Sequence, residues 1–184
     1  MTVGRTYFRR YRMGCDLATA LVTPVDLPPG YRAAGFDDKT IRHHAAVKSD
    51  AFADGLDAFV FHCLSRPEGC LRLMREIASR DAFCPESTWL IWHDQTPVGT
   101  VQGLIIDGVG NIQNLAVARH HRGRGLGRSL LQMAAGGFRR CGADQMQLEV
   151  TADNFGAVRL YQRLGLTVDE VVYKSAEVAG AEIG

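Results

Sequence analysis

The sequence predicts an α/β fold in which helices flank a central β-sheet, organised as a single domain over residues 1–184. From residue 88 onward, strand-forming runs and helical periodicity follow one another in the order β-β-β-α-β-α-β. The length allows one sizeable hydrophobic core, and hydrophobic and charged fractions of 46% and 22% are ordinary for a globular protein. No internal repeat or low-complexity segment interrupts this pattern.

The first 85 residues are predicted to complete the same core. Residues 5–13 favour a first strand, residues 21–30 form a proline-rich connection, and residues 31–36 form a weak strand. Asp37 or Asp38 can cap a helix that runs to about residue 52, and Pro67 begins a second helix that runs through Arg80. The apolar run 59–64 fits either a strand or a short helix.

The second half is predicted as a meander followed by two helix–strand units. Residues 88–93 and 98–106 are strand-forming, and Asp107-Gly108 is a strong signal for the hairpin that leads into a strand over 110–117. Apolar residues at helical spacing predict helices over about 125–140 and 154–164. Strands are predicted after each helix, over 145–150 and 166–173.

Composition excludes several classes of protein. The net charge of +1 leaves no global basic footprint for nucleic acid, and no apolar run reaches the roughly 18 residues that a membrane helix needs. The N-terminus has arginines but no apolar segment of the kind that a secretory signal contains. We therefore expect a cytoplasmic protein with no nucleic-acid and no membrane partner.

The cysteines and histidines do not form a recognisable metal motif. Five cysteines are scattered without a C-x-x-C pair, which predicts reduced, mostly buried thiols. The pairs His43-His44 and His120-His121 are sequence neighbours, and neighbours on a helix do not face the same way. No metal is expected.

A basic, glycine-rich turn joins the strand over 110–117 to the next helix. Three glycines alternate there with arginines: Gly123, Gly125 and Gly127, with Arg122, Arg124 and Arg128. Glycine lets the backbone approach a ligand closely, and the first N–H groups of the helix point into the turn, which suits a phosphate or pyrophosphate. A P-loop or a dinucleotide fingerprint is excluded because position 128 is arginine.

The pattern Arg122-x-x-Gly125-x-Gly127 resembles the acyl-CoA pyrophosphate loop of the GCN5-related N-acetyltransferases (GNAT), Q/R-x-x-G-x-G/A. A second segment, residues 148–165, resembles the family's strand, Asn-x-x-Ala and helix ending in L-Y-x-x-L-G. It matches at Asn154, Ala157, Leu160, Tyr161, Leu164 and Gly165. Together the segments span roughly residues 111–172, and the N-terminal third has no comparable motif.

The resemblance implies a mixed, mostly antiparallel sheet whose strands splay at an acyl-CoA cleft. Residues 86–176 would form the cofactor-binding half, and residues 1–85 would supply acceptor-side strands and helices. The implied activity is transfer of acetyl from acetyl-CoA to a primary amine on a small molecule or protein, with a homodimer possible. A non-catalytic CoA-binding or regulatory module is the alternative. A nucleic-acid-associated protein is disfavoured by the net charge.

The resemblance also assigns roles to residues. The backbone of Leu115, Ala116 and Val117 would pair with the pantetheine arm. The amides of Arg122, Gly123, Arg124, Gly125, Leu126 and Gly127 would cradle the pyrophosphate. Asn154 would bind the cofactor from the opposite side, and Tyr161 would protonate the leaving thiolate. Tyr161 could instead be a core aromatic packed against Phe155, Val158 and Leu164.

The general base is not identified from the sequence. Glu149 is the acid nearest the motifs, but strand alternation sets it opposite Leu148 and Val150, and we expect its face to be solvent. His93 and Glu86 are weaker candidates, His120 and His121 are expected to be solvated, and a water chain is an equal contender. Four aromatic residues either line an acceptor pocket or, as we expect, pack in the core: Trp89, Trp92, Phe59 and Phe61.

Overall fold

A computed structural model describes residues 3–53 and 61–179 of the chain. Its strands are β1 (Val3–Asp16), β2 (Tyr31–Gly35), β3 (Phe83–His93), β4 (Thr96–Ile106), β5 (Val109–Val117), β6 (Gln145–Thr151) and β7 (Thr167–Ala179). Its helices are α1 (Ile41–Phe52), α2 (Pro67–Ala78), α3 (Leu126–Arg140) and α4 (Phe155–Arg163). Short 3-10 turns lie at Asp38–Thr40, His62–Ser65 and Arg119–His121.

The seven strands form one sheet in the order β2-β3-β4-β5-β6-β1-β7. The pair β5–β6 is parallel and the other described pairs are antiparallel, so the predicted mixed, mostly antiparallel sheet is confirmed. Asp107 and Gly108 both have positive φ, 52° and 79°, as the predicted hairpin turn requires. None of the helices in the described part of the chain has the length and apolar character needed to cross a membrane.

The structure extends or limits several predicted elements. β3 begins five residues before the predicted start. Period-2 alternation did not indicate this start, because the pairing with β4 is irregular between Cys84 and Trp89. Residues 59 and 60 of the apolar run 59–64 lie outside the described residues. Phe61 is the N-cap of the 3-10 turn His62–Ser65, to which the other residues of the run belong. Asp37 caps the 3-10 turn that leads into α1, because its Oδ1 accepts a hydrogen bond from the Lys39 amide at 2.8 Å, whereas the N-cap residue of α1 itself is Thr40.

The place of β1 in the sheet could not be read from the sequence. β1 lies between β6 and β7, where Met13 pairs with Leu148 on one side and Arg9 pairs with Tyr173 on the other. The first described strand therefore completes the sheet beside the last two.

Helices cover both faces of the sheet. α3 packs tightly on one face, since a Cβ added at Gly103 or Gly110 would lie within 2.6 Å of the Phe138 ring. α1 covers the opposite face, where Val47 and Ala51 pack with residues of β3 and β5. This arrangement leaves the junction of β5 and β6 open at one end.

Candidate active site

The parallel strands β5 and β6 separate after a short ladder. They pair from Val109 with Gln145 to Ile112 with Leu148 and then diverge. On the other side of β5, the partner of Gln102 is Asn114 and the partner of Gly103 is Ile112, so Gln113 is an extra residue in a β-bulge. Bulges are common beside active sites because they redirect a strand. Beyond this one, a cleft of about 1190 Å³ opens between β5 and β6.

One wall of the cleft is the end of β5. Leu115, Ala116 and Val117 line the cleft and also pair with β4 along the strand's other edge. An extended ligand can therefore lie along the edge that β6 has left, as an added strand would.

The glycine turn closes one end of the cleft. Gly123 and Gly125 have φ of 73° and 80°, and a Cβ at either position would meet no atom within 4 Å. Glycine is therefore required by the left-handed backbone rather than by crowding. Gly125 is the N-cap of α3 and has no side chain with which to cap the first-turn amides. Leu126 and Gly127, the first two residues of α3, line the cleft, so the positive end of the helix dipole lies at the cleft.

The arginines of the turn have different surroundings. The guanidinium of Arg122 donates to the carbonyl of Ala51 at 2.7 Å and to that of Val117 at 3.1 Å, so it ties the end of α1 to the end of β5. Arg124 lies outside the cleft lining, and its guanidinium is 3.5 Å from the His120 carbonyl. The Arg122 side chain therefore holds the turn in place through these two hydrogen bonds.

The opposite wall is formed by α4. Asn154 is the N-cap of this helix, and its Oδ1 accepts a hydrogen bond from the Ala157 amide at 3.2 Å. Its Nδ2 is a donor that the cap does not use, and the residue lines the cleft. Tyr161 also lines the cleft, with 7% of its surface exposed. The ring therefore belongs both to the core and to the cleft, whereas Phe155, an expected core neighbour, is 63% exposed.

Basic groups dominate the cleft. Seven arginines are among its lining residues, namely Arg10, Arg80, Arg119, Arg122, Arg128, Arg159 and Arg163. The acidic residues among them are Glu149 and Asp153. In a chain with a net charge of +1, this concentration of positive charge favours an anionic ligand.

The far end of the cleft contains a residue that the sequence did not single out. Arg10 is only 5% exposed, its Nη1 donates to Thr151 Oγ1 at 2.9 Å, and its guanidinium lies 5.0 Å from the centre of the Phe61 ring. The ammonium of Lys174 lies 3.9 Å from the same ring centre. Phe61 thus lines the cleft, where it contacts two cations, and it also packs against the core cluster of Ala45, Leu64 and Cys70 as expected.

Glu149 lines the cleft instead of facing only solvent, as alternation had suggested. Its Oε1 lies 3.2 Å from Arg12 Nη2 and its Oε2 lies 3.6 Å from Arg10 Nε, while 41% of the side chain stays exposed. The pairing of β1 with β6 brings these arginines beside the carboxylate, which strand alternation alone could not predict.

The other candidate bases differ in position. His121 lines the cleft and is half-buried, with Nδ1 2.9 Å from Tyr31 Oη, whereas His120 is exposed as expected. Desolvation, with added repulsion from His93, lowers the pKa of His121. Trp89 and Trp92 lie outside the cleft lining, in agreement with core packing, and Phe59 lies outside the described residues.

The family model described as "Acetyltransferase (GNAT) family" matches residues 57–166, more than half of the chain. The chain belongs to the GNAT acetyltransferase family. A crystal structure of a GCN5-related N-acetyltransferase from Sphaerobacter thermophilus has a TM-score of 0.73 and 28% identity to this GNAT chain. The match covers 95% of this chain and 53% of that one.

Two relatives of this GNAT chain are named for small molecules. A mycothiol acetyltransferase of Beutenbergia cavernae is 31% identical over 163 residues, covering 84% of this chain and 50% of the relative. A streptothricin acetyltransferase of Streptomyces lavendulae is 38% identical over 72 residues, covering 38% of each. In the longer match, the chain spans about half the length of the relative.

Proposed function

We propose that this chain transfers an acetyl group from acetyl-CoA to a primary amine on a small molecule by direct attack. The observation that carries the proposal is the divergence of β5 from β6 after Ile112, which leaves a strand edge leading to the glycine turn. A long acyl donor fits these two features, because its amide-containing arm can lie along the strand edge and its charged end can lie at the glycine turn.

The donor's phosphates are assigned to the glycine turn. The left-handed glycines Gly123 and Gly125 give room for close approach, and the first-turn amides of α3 supply hydrogen-bond donors. The arginines that line the cleft add long-range attraction for a polyanion. The pantetheine arm would pair with Leu115, Ala116 and Val117, and Asn154 Nδ2 would donate from the other wall.

Tyr161 is assigned as general acid. When the amine nitrogen attacks the thioester carbonyl, the carbon–sulfur bond breaks and a thiolate leaves. The phenol of Tyr161, nearly buried and on the cleft wall, would supply the proton to that sulfur. This residue favours an enzyme over the alternative of a CoA-binding module without catalysis.

The acceptor is assigned to the end of the cleft near Arg10 and Phe61, away from the glycine turn. Glu149 lies there, and its carboxylate, which is paired with Arg10 and Arg12 but 41% exposed, would accept a hydrogen bond from the amine. The relatives named for mycothiol and streptothricin support a small-molecule acceptor rather than a protein.

The test compares two glycine variants. Calorimetry measures their binding of acetyl-CoA. Thiol release measures their turnover of acetyl-CoA with a panel of amino acids, amino sugars, polyamines and a lysine-containing peptide. Gly125→Glu introduces a carboxylate into the phosphate site. Gly108→Glu is its matched control, because Gly108 has the same left-handed φ and the same open surroundings in the β4–β5 turn.

We expect wild type and Gly108→Glu to bind and turn over acetyl-CoA, and Gly125→Glu to bind at least about tenfold more weakly, a loss of about 1.4 kcal/mol. Equal binding by the two variants would refute the assigned phosphate site. Binding by wild type without turnover of any amine would refute the enzyme and favour the regulatory module.

A further inference from the structure

β3 contains a compact loop at its start. Cys84 pairs with Gly103 of β4, and the next paired residue, Trp89, faces Val101, so residues 85–88 bulge out of the ladder. Thr88 Oγ1 donates to the Cys84 carbonyl at 3.0 Å and accepts from the Gly103 amide at 3.4 Å. These bonds close the loop on β3 and hold it to β4.

The end of α3 packs directly onto this loop. A Cβ at Gly137 would lie 2.0 Å from the carbonyl oxygen of Glu86, so the helix backbone contacts the loop backbone. The same carbonyl accepts hydrogen bonds from Trp89 Nε1 at 3.0 Å and from Arg140 Nη2 at 3.3 Å. The helix then ends at its C-cap, Cys141. The loop and the helix end are therefore held in one fixed arrangement.

Three potential metal ligands converge at this junction. Cys84 Sγ lies 3.7 Å from Cys141 Sγ and 3.8 Å from Glu86 Oε2, and the three ligand atoms all lie within 4.8 Å of one another. Tetrahedral Zn²⁺ with bonds of about 2.3 Å to sulfur and about 2.1 Å to oxygen requires separations of about 3.8 Å between sulfurs and about 3.6 Å from sulfur to oxygen. We propose that Cys84, Glu86 and Cys141 bind a thiophilic divalent cation such as Zn²⁺.

The electrostatic surroundings agree with this geometry. A divalent cation would stabilise the two thiolates and neutralise the Glu86 carboxylate. The site also lies at the C-terminus of α3, where the helix dipole favours positive charge. Arg140 is the nearby cation, and its contact is with the Glu86 backbone rather than its carboxylate.

The surroundings further define the kind of site. Cys84 Sγ donates to Ser87 Oγ at 3.3 Å, and Ser87 Oγ donates to the Ala134 carbonyl at 3.0 Å, so the buried Cys84 side chain is tied to α3. Glu86 and Cys141 are exposed, so water can take the fourth position. The 15 residues of α3 separate this site from the glycine turn by about 22 Å. The cation would therefore fasten α3 to β3, and this role is independent of the proposed acetyl transfer.

The test is a Co²⁺ titration of the full chain, reduced with a phosphine, followed by the near-ultraviolet band of cobalt–thiolate bonds. Cys141→Ser and Glu86→Gln alter exposed ligands, and Cys15→Ser on β1 is the control thiol. Far-ultraviolet circular dichroism checks that each variant is folded. Zn²⁺ is then added to displace Co²⁺, and the thermal midpoint is measured with and without Zn²⁺.

We expect one equivalent of Co²⁺ to give the thiolate band in wild type and Cys15→Ser. Cys141→Ser should lose at least half of the band and bind at least about tenfold more weakly, and Glu86→Gln should also bind more weakly. Zn²⁺ should raise the thermal midpoint of wild type but not of Cys141→Ser. The absence of a thiolate band in reduced wild type, or an undiminished band in Cys141→Ser, would overturn the site. A Cys84–Cys141 disulfide that persists under the reductant would also overturn it.

Discussion

The ammonium nitrogen of Lys48 on α1 lies 3.6 Å from the thioether sulfur of Met74 on α2. Both residues are fully buried. Desolvation lowers the pKa of Lys48 from 10.5 to about 7, an effect that Cys70 and Cys63 only partly oppose. Because a thioether is a weak hydrogen-bond acceptor, the charged form of Lys48 destabilises the folded state.

The Lys48 site predicts a pH dependence of stability. The unfolded lysine keeps its proton up to about pH 10.5, whereas the folded one loses it near pH 7, so the unfolded state binds more protons between these values. The free energy of unfolding should therefore rise with pH across this window, by at most about 1.4 kcal/mol per pH unit. Lys48→Met should raise stability at pH 7 and remove this slope. Urea denaturation at pH 7, 8 and 9 measures both effects, and exposed Lys39→Met is the control. Equal slopes in the two variants would contradict the assignment.

Tyr161→Phe should separate chemistry from binding. The ring keeps its packing in the core, and only the phenolic hydroxyl is lost. We expect kcat to fall by about 100-fold, because general acids contribute about 10² or more, while the dissociation constant of acetyl-CoA and the thermal midpoint change little. Tyr11→Phe, a partly buried tyrosine on β1, is the control. A fall in kcat equal to that of the control would leave Tyr161 as a packing residue.

Two substitutions at Asn154 should separate capping from donor binding. Asn154→Asp keeps the oxygen that caps α4 but replaces the Nδ2 donor by negative charge. Asn154→Ala removes both functions. We expect Asn154→Ala to lose about 1 kcal/mol of unfolding free energy and Asn154→Asp to lose little, while both weaken acetyl-CoA binding. Chemical denaturation and calorimetry measure the two effects. Unweakened binding in Asn154→Asp would remove Asn154 from the donor site.

Adjacent glycines in α3 should respond oppositely to alanine. A Cβ at Gly137 would lie 2.0 Å from the Glu86 carbonyl oxygen, whereas the nearest atom to a Cβ at Gly136 is Arg140 Nη1 at 3.5 Å. Gly136→Ala should stabilise the helix by about 1 kcal/mol, because alanine has the higher helix propensity. Gly137→Ala should lower the thermal midpoint, since helix and strand must move apart. Stabilisation by both substitutions would show that α3 does not pack closely on the β3 loop.

The local parts of the fold and site could be predicted because short motifs determine them. The Asp107-Gly108 turn and the left-handed Gly123 and Gly125 each depend on residues within a few positions of one another. The family resemblance rested on the glycine turn and on residues 148–165, and the family model confirms it.

The parts that were missed depend on long-range pairing. Arg10 lies within the predicted first strand, but its burial beside Glu149 follows from the pairing of β1 with β6. The metal ligands proposed here were also invisible to motif spacing, since Cys141 ends a helix 57 positions after Cys84. Similarly, burial of Lys48 depends on how α2 packs against α1.

The interior place of β1 has a consequence for the order of events during synthesis. Met13 pairs with Leu148, 135 positions later, and Arg9 pairs with Tyr173 of the final strand. At 5–20 residues per second, a ribosome needs about 7–27 s to deliver β6 after β1. Until then β1 has neither neighbour, and its backbone donors are open to other extended chains. The strand that supplies Arg10 to the cleft is thus made first among the seven, and its pairing is complete only after β6 and β7 have been made.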